Sequence, residues 1–98
     1  MRIADIQEHA GQLRAAHGWQ QSPEVRLVYL MTEVGEVSSE ALRLSEARTE
    51  EERQQAREAL GMEIYDVVWN LCDLANILEV DLEAAFEKKA AQNRDRLW

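Results

Sequence analysis

Residues 64–78 read IYDVVWNLCDLANIL, a nearly continuous apolar run interrupted by a few polar side chains. Asp66, Asn70 and Asp73 are spaced four and three residues apart, so they share one stripe if the segment is helical. Carboxylates on a helix that is apolar nearly all round are expected to be partly buried. A buried carboxylate without a partner is unfavourable. The carboxylates of this core helix are therefore predicted to need partners of positive charge.

Two acidic turns share one spacing, an acid followed by two spacers and a second acid. The first turn holds Glu33 and Glu36, and the second holds Glu63 and Asp66. Residues three apart lie on the same face of a helix, so four carboxylates converge if the two helices pack side by side. Because no basic residue accompanies them, Mg²⁺ or Mn²⁺ is the predicted ligand. A solvated acidic face is the alternative interpretation of either turn taken alone.

The helical period recurs along the chain, whereas alternating strand patterns and Asn-Gly or Asp-Gly turns are absent. We therefore predict an all-α fold. Its four helices run from Ile3 to His17, from Ser22-Pro23-Glu24 to about Leu44, from Glu50 to Leu78, and from Leu82 to about Leu97. Ser22, Thr49 and Asp81 are predicted N-caps, with Glu52 completing a capping box, and Gly18 is placed to follow the first helix.

Apolar residues on the third predicted helix form two faces. The first face holds Leu60, Ile64, Val67, Leu71, Leu74 and Leu78, and the second holds Tyr65, Trp69, Cys72 and Asn76. A helix that is apolar on two faces needs two sets of neighbours. Since one small chain can hardly supply both, we predict an obligate homo-oligomer, a dimer or a tetramer. On the second helix, Gly35 is predicted to mark the close approach of another backbone or a ligand.

Length and charge limit the function classes. The 98 residues predict one domain, 1–98, and the net charge of −8 argues against a protein that binds nucleic acid polymers through a basic face. The single cysteine, Cys72, allows no disulfide within the chain, which fits a reducing cytoplasm. No apolar signal core begins the sequence, and the 64–78 run is too short and acidic to span a membrane.

Possible contacts to a nucleotide come from two other regions. Lys89, Asn93 and Arg96 are spaced four and three apart near the end of the fourth predicted helix, and such a face can bind phosphates. Favourable placing of cations at a helix C-terminus is the alternative. Trp19 and Trp69 could stack on a base, although core packing is the favoured interpretation for Trp69 and, by a smaller margin, for Trp19.

Taken in order, these motifs resemble the MazG-like, all-α nucleoside triphosphate pyrophosphohydrolases. The resemblance covers nearly the whole chain. Residues 17–19 (HGW) resemble the turn after the first helix in that family, and residues 30–37 (LMTEVGEV) and 63–69 (EIYDVVW) resemble its two metal-binding helices. Lys89, Asn93 and Arg96 match its terminal basic motif.

The resemblance implies a helical bundle that dimerises, in some members pairing further into tetramers. It implies Mg²⁺-dependent cleavage of a nucleoside triphosphate to the monophosphate and pyrophosphate, a house-cleaning activity on the nucleotide pool. Glu33, Glu36, Glu63 and Asp66 would hold the metal and carry the catalysis. Lys89, Asn93 and Arg96 would meet the phosphates, and Trp19 is assigned to substrate binding.

One position departs from the family pattern. Many relatives have an acid immediately before the first motif glutamate, where it can activate the attacking water, but this chain has Thr32. Either another carboxylate then activates the attacking water, or a metal-bound hydroxide suffices. The competing interpretation of the whole chain is a non-catalytic helical dimerisation module with an acidic groove. A di-iron bundle is rejected because neither His9 nor His17 has a glutamate three residues before it.

Overall fold

The computed structural model describes residues 2–96, which form four helices and no strand. The helices are α1 (Ile3–His17), α2 (Pro23–Glu46), α3 (Glu50–Ile77) and α4 (Leu82–Arg94). The predicted all-α class is confirmed. The prediction for α4 was too long, because the helix ends at Arg94, and the predicted end at Leu97 lies outside the described residues.

Side-chain caps fix the starts of three helices. The hydroxyl of Ser22 accepts from the Val25 N–H at 3.3 Å, and Pro23 occupies the first helical position, where its missing N–H costs nothing. The Thr49 hydroxyl and the Asp81 carboxylate cap α3 and α4 in the same way, at 3.1 Å. The predicted capping box differs in one detail. The Glu52 carboxylate accepts from the N–H of Arg48, the residue before the cap, at 2.8 Å.

Helices α2 and α3 form a long hairpin, since only residues 47–49 connect them, and they make the most extensive packing in the protomer. Helix α1 packs on a different face of α3, and α4 packs on α1. Among residues 2–96, the buried apolar residues are few and mostly small: Ala10, Leu30, Ala56, Cys72 and Ala75. Packing of helix backbones at close range, more than large apolar side chains, therefore makes up the buried core.

One glutamine joins three helices. The Asn76 side chain of α3 donates to the Gln7 carbonyl of α1 at 2.9 Å, so Asn76 is committed to holding helices together. The Gln7 amide nitrogen donates to the Val80 carbonyl at 2.7 Å, and its oxygen accepts from the Leu82 N–H at 3.2 Å. These bonds fix the turn between α3 and α4 against α1.

The first predicted apolar face of α3 remains uncovered within the protomer. Ile64, Leu71 and Leu78 are 45%, 46% and 54% exposed. The second face is covered in part, since Cys72 is buried and Asn76 bonds to α1, whereas Tyr65 is 47% exposed. Within residues 2–96, Ile64, Leu71 and Leu78 therefore stay partly exposed. A Cβ added to Gly35 would meet nothing within 4 Å, so the predicted close approach does not occur within the protomer.

The protomer is more open than a compact monomer of its size. Its radius of gyration is 16.1 Å, whereas about 13 Å is typical of a compact chain of this length. Its accessible surface is 7196 Å², about 1,500 Å² above the value of roughly 5,700 Å² that size scaling gives for a compact monomer of this mass. None of the four helices has an apolar stretch long enough to cross a membrane.

An ion-pair network lies at the centre of the three-helix contact. The Asp73 side chain of α3 is fully buried. Its Oδ1 lies 2.6 Å from the Arg14 Nε of α1, and its Oδ2 lies 2.9 Å from the Arg26 Nε of α2. A second Arg14 nitrogen, Nη2, donates to Oδ2 at 2.9 Å. One carboxylate therefore ties α1, α2 and α3 together, and Arg26 is itself only 4% exposed.

Both arginines also hold the connection between α1 and α2. Arg14 Nη1 donates to the Trp19 carbonyl at 2.8 Å, and Arg26 Nη2 donates to the Gln21 side-chain oxygen at 2.9 Å. Gly18 takes a left-handed conformation with φ of 64°, which ends α1 and starts this connection. Residues 19–21 are thus fixed by side chains anchored on α3.

We expect Asp73→Asn to lower the free energy of unfolding by about 3–5 kcal/mol, because it leaves buried arginines without a counter-charge. Chemical denaturation at fixed protein concentration measures this. The matched control is Asp95→Asn at the exposed end of α4, which should change stability by less than about 0.5 kcal/mol. Equal effects of the two substitutions would show that the network does not hold the helices together.

Candidate functional site

Three of the four predicted carboxylates converge between α2 and α3. One carboxylate oxygen from each of Glu33, Glu36 and Glu63 lies within 4.8 Å of the other two. The first two residues lie one helical turn apart on α2, and the third faces them from α3. We call Glu33, Glu36 and Glu63 the acidic cluster.

Asp66, the fourth predicted carboxylate, lies outside this close set. It is half-buried on α3, one turn after Glu63. Its negative charge nevertheless raises the pKa of both Glu33 and Glu63. Asp66 therefore belongs to the same electrostatic site, although its oxygens do not join the closest three.

Mutual repulsion and burial make the cluster retain protons. A hydrogen bond with Glu36, followed by burial and the charges of the neighbouring acids, raises the pKa of Glu63 to about 7. Burial is the main cause of the raised pKa of Glu33, and the charges of Glu36 and Asp66 add to it. Both shifts favour the protonated forms of these carboxyl groups, because negative charges this close together repel one another.

Two oxygens of the cluster are buried without a protein partner. Glu33 Oε2 and Glu63 Oε2 have almost no solvent contact and form no hydrogen bond with the described residues. Buried polar atoms are normally satisfied. A hard divalent cation takes oxygen ligands of this kind, so the donor set fits Mg²⁺ or Mn²⁺ held by Glu33, Glu36 and Glu63, with Asp66 adding negative charge.

An aromatic pocket of about 220 Å³ adjoins the acidic cluster. It is lined by Trp19, Gln21, Arg26, Tyr29, Glu33, Trp69 and Asn70. Glu33 belongs to both the pocket and the cluster, so a ligand in the pocket lies directly beside the carboxylates. Aromatic walls with a few polar groups are common in small-molecule sites, whose volumes are usually about 300–1,000 Å³, so this pocket is small for its kind.

The two tryptophans stack on each other. Their ring centroids are 5.3 Å apart with an interplanar angle of 27°, and His17 stacks on the other side of Trp19 at 4.5 Å. Trp19 lines the pocket, and its contact with a substrate stays a prediction. Trp69 was expected to pack in the core. Instead it is half-buried and lines the pocket, because the α1–α2 connection brings Trp19 against its ring.

The predicted basic face is not formed as one helical face. Lys89 and Asn93 lie on α4, but the helix ends at Arg94, so Arg96 lies beyond it. Lys89 and Arg96 are exposed, and Asn93 Oδ1 is buried without a hydrogen-bond partner. Helix α4 packs on α1, and none of these residues lines the aromatic pocket. Their contact with phosphate stays a prediction.

Sequence reasoning missed Arg26, Gln21 and Tyr29 as parts of the site. A signal for Arg26 was present, since it lies four residues before Leu30 and thus on the apolar face of α2. A cation there calls for a buried acid, and Asp73 in the apolar run of α3 is that acid. Gln21 and Tyr29 carried no comparable signal, because their places depend on how the α1–α2 connection folds.

Comparison of the chain with protein-family models, with curated proteins and with solved structures found no match. The candidate site therefore rests on the geometry of its own residues. That geometry joins an acidic cluster, two unpaired buried oxygens and an aromatic pocket.

We expect the metal-free protein to lose thermal stability as the pH rises from about 5 to about 8. The carboxyl of Glu63 has a pKa of about 7 in the folded protein against 4.5 for the unperturbed group, so folding favours its protonated form. The resulting stabilisation is complete below pH 4.5 and is lost as the pH passes through about 7. Melting temperatures in a chelator across this range measure it.

Glu63→Gln removes the ionisation and should flatten this pH dependence. Glu58→Gln is the matched control, since Glu58 is exposed on the same helix and lies outside the cluster. If Glu63→Gln leaves the slope of melting temperature against pH unchanged, the raised pKa of Glu63 is not the cause of the pH dependence.

Proposed function

We propose that this chain is a Mg²⁺-dependent pyrophosphohydrolase of the MazG-like type, which cleaves a nucleoside triphosphate to the monophosphate and pyrophosphate. The observation that carries the proposal is the adjacency of the acidic cluster, with its two unpaired buried oxygens, to an aromatic pocket that shares Glu33. The product pair comes from the sequence resemblance, because an acidic site alone would allow cleavage at either phosphate linkage.

The acidic cluster supplies the cation site of this proposal. Glu33, Glu36 and Glu63 would hold Mg²⁺, with Mn²⁺ as a substitute, and Asp66 would support them with its charge. When bound, the cation reverses the local negative potential, orients water and stabilises charge on the phosphoryl oxygens. Without such a cation, carboxylates at this spacing would repel a triphosphate.

The aromatic pocket positions the base in this proposal. Trp19 and Trp69 already stack on each other, so the base would contact the parts of these rings that line the pocket, and the shared wall at Glu33 would set the direction from base to phosphates. In the reaction a water oxygen bonds to the α-phosphorus, the bond to the bridging oxygen breaks, and pyrophosphate leaves. Lys89, Asn93 and Arg96 are the proposed phosphate contacts.

Thr32 occupies the position at which many relatives have an acid, so in this proposal another carboxylate would accept the proton of the attacking water. The Thr32 hydroxyl donates to the Val28 carbonyl at 3.3 Å, as a helical threonine often does, and is not acidic. Asp66 lies beside the cluster but outside its closest set, so its carboxylate is the one left to accept the proton.

We further propose that two copies of the chain associate through the uncovered apolar face. The protomer exposes about 1,500 Å² more surface than a compact monomer would, whereas a standard interface buries about 800 Å² per partner. An apolar groove of about 610 Å³ runs between α1, α3 and α4 and includes Leu71 and Phe86. Self-association would supply the second set of neighbours for α3, and the family resemblance allows dimers or tetramers.

A non-catalytic dimerisation module with an acidic groove is the second candidate function. The exposed apolar face of α3 favours it as much as it favours an oligomeric enzyme. The two candidates differ in the role of the aromatic pocket, which a module of this kind would not need.

The proposed enzyme should be stabilised by metal and disabled by loss of one ligand charge. Mg²⁺ at 100 times its dissociation constant should add about 2.7 kcal/mol to the free energy of unfolding, because it binds only the folded site. Glu36→Gln should abolish triphosphate cleavage while leaving a folded protein. Ion-exchange chromatography of the products distinguishes monophosphate plus pyrophosphate from diphosphate plus phosphate.

Glu40→Gln is the control for this experiment. Glu40 lies one turn further along the same face of α2, but it pairs with Arg43 at 3.1 Å and lies outside the cluster. It should keep nearly full activity. If the unmodified protein cleaves no nucleotide with Mg²⁺ or Mn²⁺, the dimerisation module becomes the better account.

Self-association should be visible by sedimentation at micromolar concentration. We expect a species of at least twice the 11.3 kDa protomer mass. Leu71→Glu places a charge in the proposed contact and should yield a smaller species, because burying an unpaired charge is unfavourable. A stable monomer of the unmodified protein would contradict the proposed contact.

A further inference from the structure

One face of α3 repeats with a period of seven residues. From residue 61 onward, its positions are spaced alternately three and four residues apart, the spacing that keeps one stripe of a helix against a partner helix in coiled coils. We call these six residues, the last of which directly follows the helix, the heptad seam: Gly61, Ile64, Val68, Leu71, Ala75 and Leu78. Its Ile64, Leu71 and Leu78 also belong to the uncovered apolar face of α3.

The heptad seam borders a continuous apolar surface of the protomer. Five of its six residues are exposed, and Ala75, only 6% exposed, lies on the floor of the groove of about 610 Å³. A second groove of about 510 Å³ includes Gly61 and Ile64. Both grooves are lined by Ile6 and Val68, so together they follow the whole seam.

Gly61 is the seam residue that the protomer does not explain. It lies in the middle of α3 and does not adopt the left-handed conformation that favours glycine. Glycine weakens the interior of a helix relative to alanine. A Cβ added at Gly61 would meet nothing within 4 Å among the described residues. The glycine therefore leaves space only for something that packs on α3 from outside the protomer.

The polar stripe of α3 lies on the opposite side of the helix from the heptad seam. Asp66, Asn70 and Asp73 each lie two positions from a seam residue, and two positions turn an α-helix by about 200°. These polar residues belong to the ion-pair network, the aromatic pocket and the electrostatic surroundings of the acidic cluster. A partner that docks on the heptad seam therefore leaves the candidate site on the far side of α3.

We infer that two copies of the chain dock through the heptad seam with their α3 helices antiparallel, about a two-fold axis that passes between positions 69 and 70. This inference rests on the proposed self-association and is independent of the proposed catalysis. In a two-fold contact, residue i of one copy meets residue j of the other, and j meets i. About this axis the seam pairs with itself in three layers: Gly61 with Leu78, Ile64 with Ala75, and Val68 with Leu71 of the second copy.

Each layer of this arrangement joins a smaller residue to a larger one. Gly61 gives room to Leu78, and Ala75 gives room to Ile64. Facing positions that alternate in size fill the space between two helices without voids. A parallel arrangement would set Gly61 against Gly61 and Leu78 against Leu78, which leaves one layer empty and crowds another. Cavities and overpacking both destabilise a contact.

The size pairing is tested by exchanging the sizes within one layer. Gly61→Leu fills the space that Leu78 of the second copy needs, and the layer occurs twice in the dimer. The dissociation constant of the dimer should therefore rise about tenfold or more. The protomer should stay folded, because the added side chain meets nothing within it. Adding Leu78→Ala to Gly61→Leu should restore most of the affinity. Sedimentation over a concentration series measures each dissociation constant.

Gly35→Leu is the matched control for this substitution. Gly35 is also a mid-helix glycine with nothing within 4 Å of an added Cβ, but it lies on α2, outside the heptad seam. It should leave the dissociation constant unchanged. Equal weakening by Gly35→Leu and Gly61→Leu, or a double variant that associates no better than Gly61→Leu alone, overturns the inference.

The antiparallel orientation is tested by cysteine cross-linking in a Cys72→Ala background. In the inferred dimer, residue 61 lies beside residue 78 of the second copy, whereas the two copies of residue 61 are about 25 Å apart along the helices, too far for a disulfide. Gly61→Cys chains refolded together with Leu78→Cys chains should give a covalent dimer of twice the 11.3 kDa mass on oxidation. Neither variant should cross-link by itself. Cross-linking of either variant with itself, as parallel docking requires, overturns the inference.

These measurements separate the inference from the other proposals. A stable monomer of the unmodified protein contradicts both the self-association and the heptad-seam contact. A dimer whose dissociation constant Gly61→Leu does not change retains the self-association and overturns the contact. Neither experiment depends on nucleotide cleavage, so a failure of the proposed enzyme leaves the inferred contact standing.

Discussion

The bundle depends on one buried carboxylate that three helices share. Asp73 on α3 forms ion pairs with Arg14 of α1 and Arg26 of α2, and its side chain is fully buried. Burying these charges is unfavourable unless the geometry is good and the remaining donors are satisfied. Other donors of the arginines bond to the Trp19 carbonyl and to Gln21, which lie in the α1–α2 connection, whereas the buried Arg26 Nε has its ion pair with Asp73 but no hydrogen bond. The interaction that closes the core therefore also builds the pocket.

The all-α class and most helix boundaries could be predicted because they depend on local chemistry. Hydroxyl and carboxylate caps at Ser22, Thr49 and Asp81 act within three residues, and periodicity acts along one helix. The convergence of Glu33, Glu36 and Glu63 was predictable because spacing on each helix leaves few ways to pack two acidic turns. What these carboxylates bind was predicted by chemistry and resemblance, and it stays a prediction.

The parts that sequence did not predict depend on contacts between distant segments. Asp73 and Asp66 share one stripe of α3, yet Asp73 pairs with arginines while Asp66 lies beside the acidic cluster. The difference arises from which helix faces each position, a property of packing that the spacing alone does not contain. Trp69 was predicted to pack in the core because its spacing on α3 likewise does not reveal which segment lies against it. Its neighbour Trp19 comes from a connection whose course is set by Arg14 and Arg26.

The fixed α1–α2 connection has a consequence for how a ligand is admitted. Because Trp19 and Gln21 are tied to Asp73 through side chains in the free protein, the pocket exists before any ligand arrives. Binding then requires little ordering of the chain, so little conformational entropy is lost on association. A wrong ligand cannot be rejected by a failure to close the site, as in induced fit. For the proposed enzyme, selection among nucleotides would then act mainly through the dissociation rate of each ligand.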